Sequence, residues 1–166
     1  MGISSHDLLQ QVIQPTLQQL GVTSAAAEQL LLATAYHQSG LGEQLQSKQG
    51  LGIFNITPEQ HTAVWDHYLA KDCDLASQVR GMASQHEFPK APHSELICNL
   101  RYATAIAWML FQYHGVKIPD VADPCMMARC WQKVFGNQSG SGAETDQFAQ
   151  HYRELMEKHA ATRLAA

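Results

Sequence analysis

Charge is scarce in this chain of 166 residues: only 16% of them are Asp, Glu, Lys or Arg. The balance is mildly acidic, with 11 Lys and Arg against 15 Asp and Glu and a formal net charge of −4. That leaves no basic footprint for nucleic acid, so none is expected as a partner. Long apolar runs are also missing. A membrane span needs about 20 apolar residues, and the longest stretch, over 103–111, falls far short. Residues 1–7 carry no basic residue followed by an apolar block, and His6 stands where a myristoylation signal wants Ser or Thr. The expectation is synthesis in the cytoplasm as a soluble protein without a signal peptide. The four cysteines, Cys73, Cys98, Cys125 and Cys130, form no CxxC pair and read as buried structural thiols. Nine histidines are present, but none are paired at i, i+4 on a helix and there is no HExxH, so no metal is expected. The glycine-rich stretch 40–52 lacks the Lys-Ser/Thr that closes a phosphate loop, and no cofactor is expected either. The 11 glycines and 6 prolines follow no period, which excludes collagen-like and low-complexity chains.

What the chain has is helical periodicity and enough apolar residues, 45%, to bury a core. Residues 7–19 place Leu8, Leu9, Val12, Ile13 and Leu17 on one period, with Pro15 as an expected kink or break. A second helix begins near Thr23 or Ser24 and is stopped by Gly40 and Gly42. Residues 43–52 read as a loop or short hairpin, and 52–56 as a brief extended piece. Thr57-Pro58-Glu59-Gln60 is a capping box with proline at the first helical position. A short helix over 74–85 and a proline-bearing linker over 86–93 follow. Residues 95–114 are apolar nearly all round, as a central buried helix must be. Asp123-Pro124 starts another helix, closed by Gly136. A Gly/Ser loop over 137–142 precedes a last helix capped by Thr145. No β-alternation is present. The spacing predicts an all-α domain of about seven helices around residues 95–114.

Chemistry concentrates between residues 31 and 69. A helix closes on Ala35-Tyr36-His37-Gln38-Ser39-Gly40-Leu41-Gly42, and Gly50-Leu51-Gly52-Ile53-Phe54-Asn55-Ile56-Thr57-Pro58 follows. This order resembles the lysozyme-like superfamily of goose-type lysozymes and lytic transglycosylases, and most closely its small phage-encoded members. His61, Trp65, Tyr68 and Leu69 continue the likeness, as do Asn99-Leu100-Arg101-Tyr102-Ala103-Thr104, Trp131-Gln132-Lys133 and Gly140-Ser141-Gly142. Each piece is short, so the specificity lies in their order. The resemblance implies an N-terminal helix over 1–22, a lysozyme-like domain over 23–158 and a tail over 159–166. It also implies a groove for peptidoglycan glycan strands or chitooligosaccharide, lined by Ser39, Asn55, Tyr36, Phe54, Thr57 and Tyr102.

The departures bear directly on activity. Gln38 occupies the position of the family's catalytic Glu, which protonates the glycosidic oxygen and then acts as base. A glutamine keeps the shape and the hydrogen bonds but has no proton to give. Asn55 replaces a Gln and Thr57 a Glu. Together they imply divergence into a non-catalytic protein, although an engineered Glu→Gln change would leave the same Gln38. Glu43 and Glu59 are the alternative acids, the least favoured option, since Glu59 sits at a helix N-terminus that stabilises ionised, low-pKa carboxylates. His37 lies about 100° round the helix from Gln38 and reads as structural. Two readings stay open: a peptidoglycan-directed protein with a disabled acid, or a structural component of a virion or tail built on the same fold. With no signal peptide, a wall-directed protein has to be carried in a virion or delivered to the periplasm by another route.

Overall fold

The computed structural model describes residues 2–47, 49–136 and 142–164. Among them the chain is all-α, with eight helices and no strands. The first helix, α1 (residues 5–19), does not break at Pro15. It widens into a π-helical stretch over Leu8–Ile13, where Gln14 N–H reaches back five residues to Leu9 O. Proline has no N–H and its ring crowds the carbonyl four residues earlier, and the wider turn just before it relieves both problems. Thr16 helps by donating its hydroxyl to Val12 O at 2.6 Å. Leu8, Ile13 and Leu17 are fully buried, so α1 belongs to the common core.

α2 (Ala25–Ser39) is capped by Ser24, whose hydroxyl accepts from Ala27 N–H at 3.2 Å. It ends in a left-handed turn in which Gly40, Leu41 and Gly42 all have positive φ, of 60°, 59° and 91°. Leu41 is the costly member of that turn, since its Cβ is crowded there; it is held by burial and by the bond from Ile3 N–H to its carbonyl at 2.8 Å. Residues 51–56 then form a tight turn where the sequence reading expected a brief extended piece over 52–56. Leu51 and Ile56 exchange both backbone bonds, at 2.9 and 3.0 Å, and Ile53, Phe54 and Ile56 turn into the core.

The capping box opens α3 (Pro58–His67) as its residues require: Thr57 Oγ1 accepts from Gln60 N–H and Gln60 Oε1 from Thr57 N–H. Asp72 caps α4 (Cys73–Gly81), which stops four residues short of the expected 85. The central helix is divided. A short α5 (Glu95–Cys98) is separated from α6 (Leu100–Tyr113) by Asn99, which has extended backbone at φ −116°. Asn99 Oδ1 accepts from Tyr102 N–H while its Nδ2 donates to Met82 O and to Glu95 Oε2, so the side chain takes the place of a helical bond. Residues 102–111 of α6 are all buried, which makes it the axis of the molecule.

Asp123 caps α7 (Pro124–Phe135) through bonds from Cys125 and Met126 N–H, and Gly136 ends it. α8 (Gly142–Leu164) begins before Thr145 and takes in 159–164 of the expected tail, whose last two residues lie outside the described residues. The Thr145 hydroxyl is buried inside its first turn and has no hydrogen-bond partner among the described residues. The expected Gly/Ser loop at 137–141 lies outside the described residues. α8 packs chiefly on α7 and α2, where Tyr152 Oη donates to Gln29 Oε1 at 2.7 Å. The thiols correct the sequence reading: only Cys130 is buried, and Cys73, Cys98 and Cys125 are exposed. The cysteine pattern carried no helical-face information strong enough to separate them. No helix among the described residues is long and apolar enough to cross a membrane.

Candidate functional site

An open groove of about 450 Å³ lies where the end of α2, the 49–57 segment, the end of α7 and the start of α8 meet. Gln38 comes from the last turn of α2, one residue ahead of the Ser39 that locks that turn. Ser39 Oγ donates toward Ile53 O at 2.7 Å, lies 3.0 Å from Ala35 O and accepts from Gly42 N–H at 3.0 Å. This buried hydroxyl ties α2 to the 50s turn and so fixes the spacing of Gln38 from Asn55.

Asn55 lines the same groove from a left-handed backbone at φ 53°, a conformation that Asn tolerates better than most side chains. Its Oδ1 accepts from Ser47 Oγ at 2.7 Å. The Nδ2 donors of Asn55 and the second lone pair of Oδ1 are left for a ligand. Its backbone presses so closely on Gly50 that a Cβ there would stand 2.2 Å from Asn55 O. Thr57 and Gln60 add the capping box as a third side, and Gln60 Nε2 donates to Val134 O at 3.0 Å, bracing α3 against α7.

Gln38, Asn55 and Thr57 are therefore brought together in one groove, whereas the other expected lining residues are not. Phe54 is fully buried in the core. Ser39 is consumed by its three backbone bonds. Tyr36 sits two residues before Gln38, about 200° round the helix, where it meets His151 edge-on at 5.4 Å. Tyr102 is fully buried beside α3, with its hydroxyl 2.8 Å from Trp65 Nε1 and 2.6 Å from His61 Nε2. Neither alternative acid lines the groove: Glu43 lies against Gly40 in the left-handed turn, and Glu59 is exposed on the outer face of α3.

Most of the other lining residues escaped the sequence reading, those of α7 and α8 among them. Trp131 and Phe135 of α7 and Glu144 of α8 line the groove opposite Asn55 and Thr57 in the chain order. Trp131 is stacked on Phe148 with ring centroids 5.1 Å apart and 18° between the planes, and His37 meets it edge-on at 4.7 Å. The spacing of Trp131, Val134 and Phe135 marks one helix face, and that was the available signal. His37 also lines the groove. Its Nδ1 lies 2.9 Å from Nδ1 of His151. Burial, reinforced by the neighbouring His151 and opposed by Glu144, lowers its pKa from 6.5 to about 4.

No family model, curated protein or solved structure matches this chain. The chemistry of the groove thus has to be read from its own residues. Gln38, Gln49, Asn55, Gln60 and Gln147 are neutral amides, Thr57 is a hydroxyl and Phe135 is a partly exposed ring, whereas Trp131 is buried against Phe148 and offers a ligand almost no surface. Such a lining is chemically suited to a hydroxyl- and amide-rich ligand held by directional hydrogen bonds. Among the described residues, no cluster of three His, Cys, Asp or Glu side chains could hold a metal ion.

Proposed function

We propose that the groove binds an amino-sugar strand, a peptidoglycan glycan or a chitooligosaccharide, on a lysozyme-like framework whose acid position is occupied by Gln38. The observation that carries this reading is the convergence of Gln38, Asn55 and Thr57 on a single amide-lined groove to which Phe135 adds a partly exposed ring. Those three positions were singled out by their resemblance to a saccharide-cleaving motif. N-acetyl groups and ring hydroxyls are the natural partners of Gln and Asn amides, and sugar faces stack on aromatic rings.

Cleavage needs more than binding. A general acid accelerates such a reaction by about 10²–10⁴-fold, and an amide at position 38 supplies no proton. Binding and turnover therefore separate in this chain. The test sets the unmodified protein beside Gln38→Glu and Gln38→Ala, with calorimetric titration of N-acetylglucosamine hexamer and turbidity of purified peptidoglycan as readouts. The unmodified chain and Gln38→Ala are expected to clear no peptidoglycan, while Gln38→Glu gains activity and all three retain their folded circular dichroism. Robust hydrolysis by the unmodified chain would overturn the disabled-acid reading. Absence of saccharide binding together with no gain in Gln38→Glu would overturn the saccharide reading itself.

A further inference from the structure

Between α4 and α5 the chain runs through turns over 84–94, and residues 85–87 and 89–91 are exposed. Phe88 turns inward. Its ring centroid lies 5.9 Å from that of Trp65 and 5.7 Å from that of Tyr102, with the Arg80 guanidinium 4.4 Å away over the ring. Among the described residues, His93 is the one member of 85–93 with a hydrogen bond to a residue outside 84–94. Its Nδ1 lies 2.8 Å from Nδ1 of the buried His61 on α3. One ring and one imidazole–imidazole bond are thus the specific attachments of this segment to the core. The proton in that bond can be placed. Tyr102 Oη accepts from the Trp65 indole at 2.8 Å and donates to His61 Nε2 at 2.6 Å, so His61 carries its hydrogen on Nδ1 and His93 supplies the lone pair. A proton added to His93 Nδ1 sets two N–H groups against each other. The pair keeps a bond only if every donor reverses, His93 giving to His61 and His61 to Tyr102. The buried Tyr102 hydroxyl then loses the acceptor it has now.

We propose that residues 85–93 form an acid-released strap: a proton taken up by the His61–His93 pair breaks the bond to α3, and the segment lifts off Trp65 and Tyr102 while the core stays folded. Burial first, and His93 second, hold the His61 pKa at about 4, down from 6.5, while the strap is closed. Lifting the strap returns the ring to water. A group whose pKa is lower in the closed form binds fewer protons there, so the open form gains as pH falls from 6.5 toward 4. The other charges around the pair are engaged elsewhere. Glu95 of α5 accepts from Ser84 N–H and Asn99 Nδ2, and Arg80 of α4 stacks on Phe88. On the strap, Glu87 and Lys90 pair with each other at 3.6 Å and His86 is exposed. Glu59, Asp66 and His67 of α3 lie together on its outer face.

The experiment follows hydrogen exchange of the full chain from about pH 7 to about pH 5, each rate divided by the intrinsic rate at that pH. The amides of Phe88, Lys90 and Ala91, bonded within the turns, read the strap, and those of residues 102–111 in α6 read global unfolding. Exchange of the strap is expected to rise roughly tenfold across that range, at an opening free energy well below that of α6 throughout. His93→Ala should expose the strap already at neutral pH. His93→Asn, which places an acceptor that takes up no proton near the position of Nδ1, should keep it closed and flatten the response. Strap amides that follow the intrinsic rate alone would overturn the proposal, as would strap and α6 amides sharing one opening free energy. A response in His93→Asn as steep as in the unmodified chain would overturn the histidine pair as the trigger. The first two outcomes need no variant, so they decide the matter even if a substitution fails to fold.

Discussion

Single protons can be placed in the buried chain that runs from Trp65 to His93. The Trp65 indole can only donate, so Tyr102 Oη accepts from it at 2.8 Å and gives its own proton to His61 Nε2 at 2.6 Å. His61 must then carry its hydrogen on Nδ1, which donates to Nδ1 of His93 at 2.8 Å. Charging His61 would put a second donor against the Tyr102 hydroxyl. Burial first, and His93 second, accordingly lower the His61 pKa from 6.5 to about 4. Tyr102→Phe leaves the Trp65 N–H without its acceptor and His61 Nε2 without its donor, and should cost roughly 2–3 kcal/mol in urea unfolding. Because Tyr102 does not line the groove, binding of the proposed saccharide should persist; its loss would contradict that placement. The same histidine sets an acid limit. A group whose pKa is lower folded than unfolded binds fewer protons in the native state, so falling pH favours the unfolded chain. The contribution of His61 is complete above pH 6.5 and is lost toward pH 4, on the order of 3 kcal/mol in all. Histidine 37 adds in the same direction. Urea midpoints should therefore fall across this window, and His61→Phe should flatten part of the fall.

At the scale of elements, the turn over 50–57 is the least forgiving part of the molecule. Gly52 has φ +74°, and a Cβ there would stand 1.7 Å from Leu96 O of α5. Gly52→Ala must both strain the backbone and push α5 away, so a loss of about 3 kcal/mol or more is expected, with saccharide affinity falling as Asn55 shifts. Thr57→Ala removes one half of the capping box and should cost about 1 kcal/mol by thermal unfolding. If Thr57→Ala weakened stability without touching affinity, the groove side formed by the cap would be scaffold alone. These elements also show where the sequence was legible. Thr57-Pro58-Gln60 and Asp123-Pro124 announce helix starts because capping is settled within four residues. The break at Asn99 was invisible, since the apolar period of α5 continues into α6 and only the Met82 carbonyl and Glu95, brought in by folding, reward the interruption. The π-helical turn before Pro15 was hidden likewise, because the sequence shows the proline and not how the helix absorbs it. In the groove, Gln38, Asn55 and Thr57 were readable from local order. Trp131 and Glu144 were not, because a helix pattern says which face is apolar and not which distant element lies opposite.

Across the whole molecule, the groove has two sides of different origin. Gln38, Asn55 and Thr57 come from the first half of the chain, and Glu144 and Gln147 come from α8 near its other end. α8 is fastened to the early chain by Tyr152 on Gln29 and by His151 beside His37, contacts that span 123 and 114 residues. Contacts of such range are closed late, because the loop entropy must be spent before they form. The axis α6, buried on every side, should exchange its amide hydrogens only through global unfolding, whereas α8 should open at lower free energy. A saccharide of the proposed kind that touched both sides would act as a strap across that seam. Binding should raise the protection of α8 amides by the factor 1 + [L]/Kd while leaving α6 almost unchanged, and hydrogen exchange with and without ligand reads the two helices separately. If the proposed saccharide binds, α8 would report its occupancy: the wall that completes the groove would also be the piece of the fold whose breathing the ligand silences.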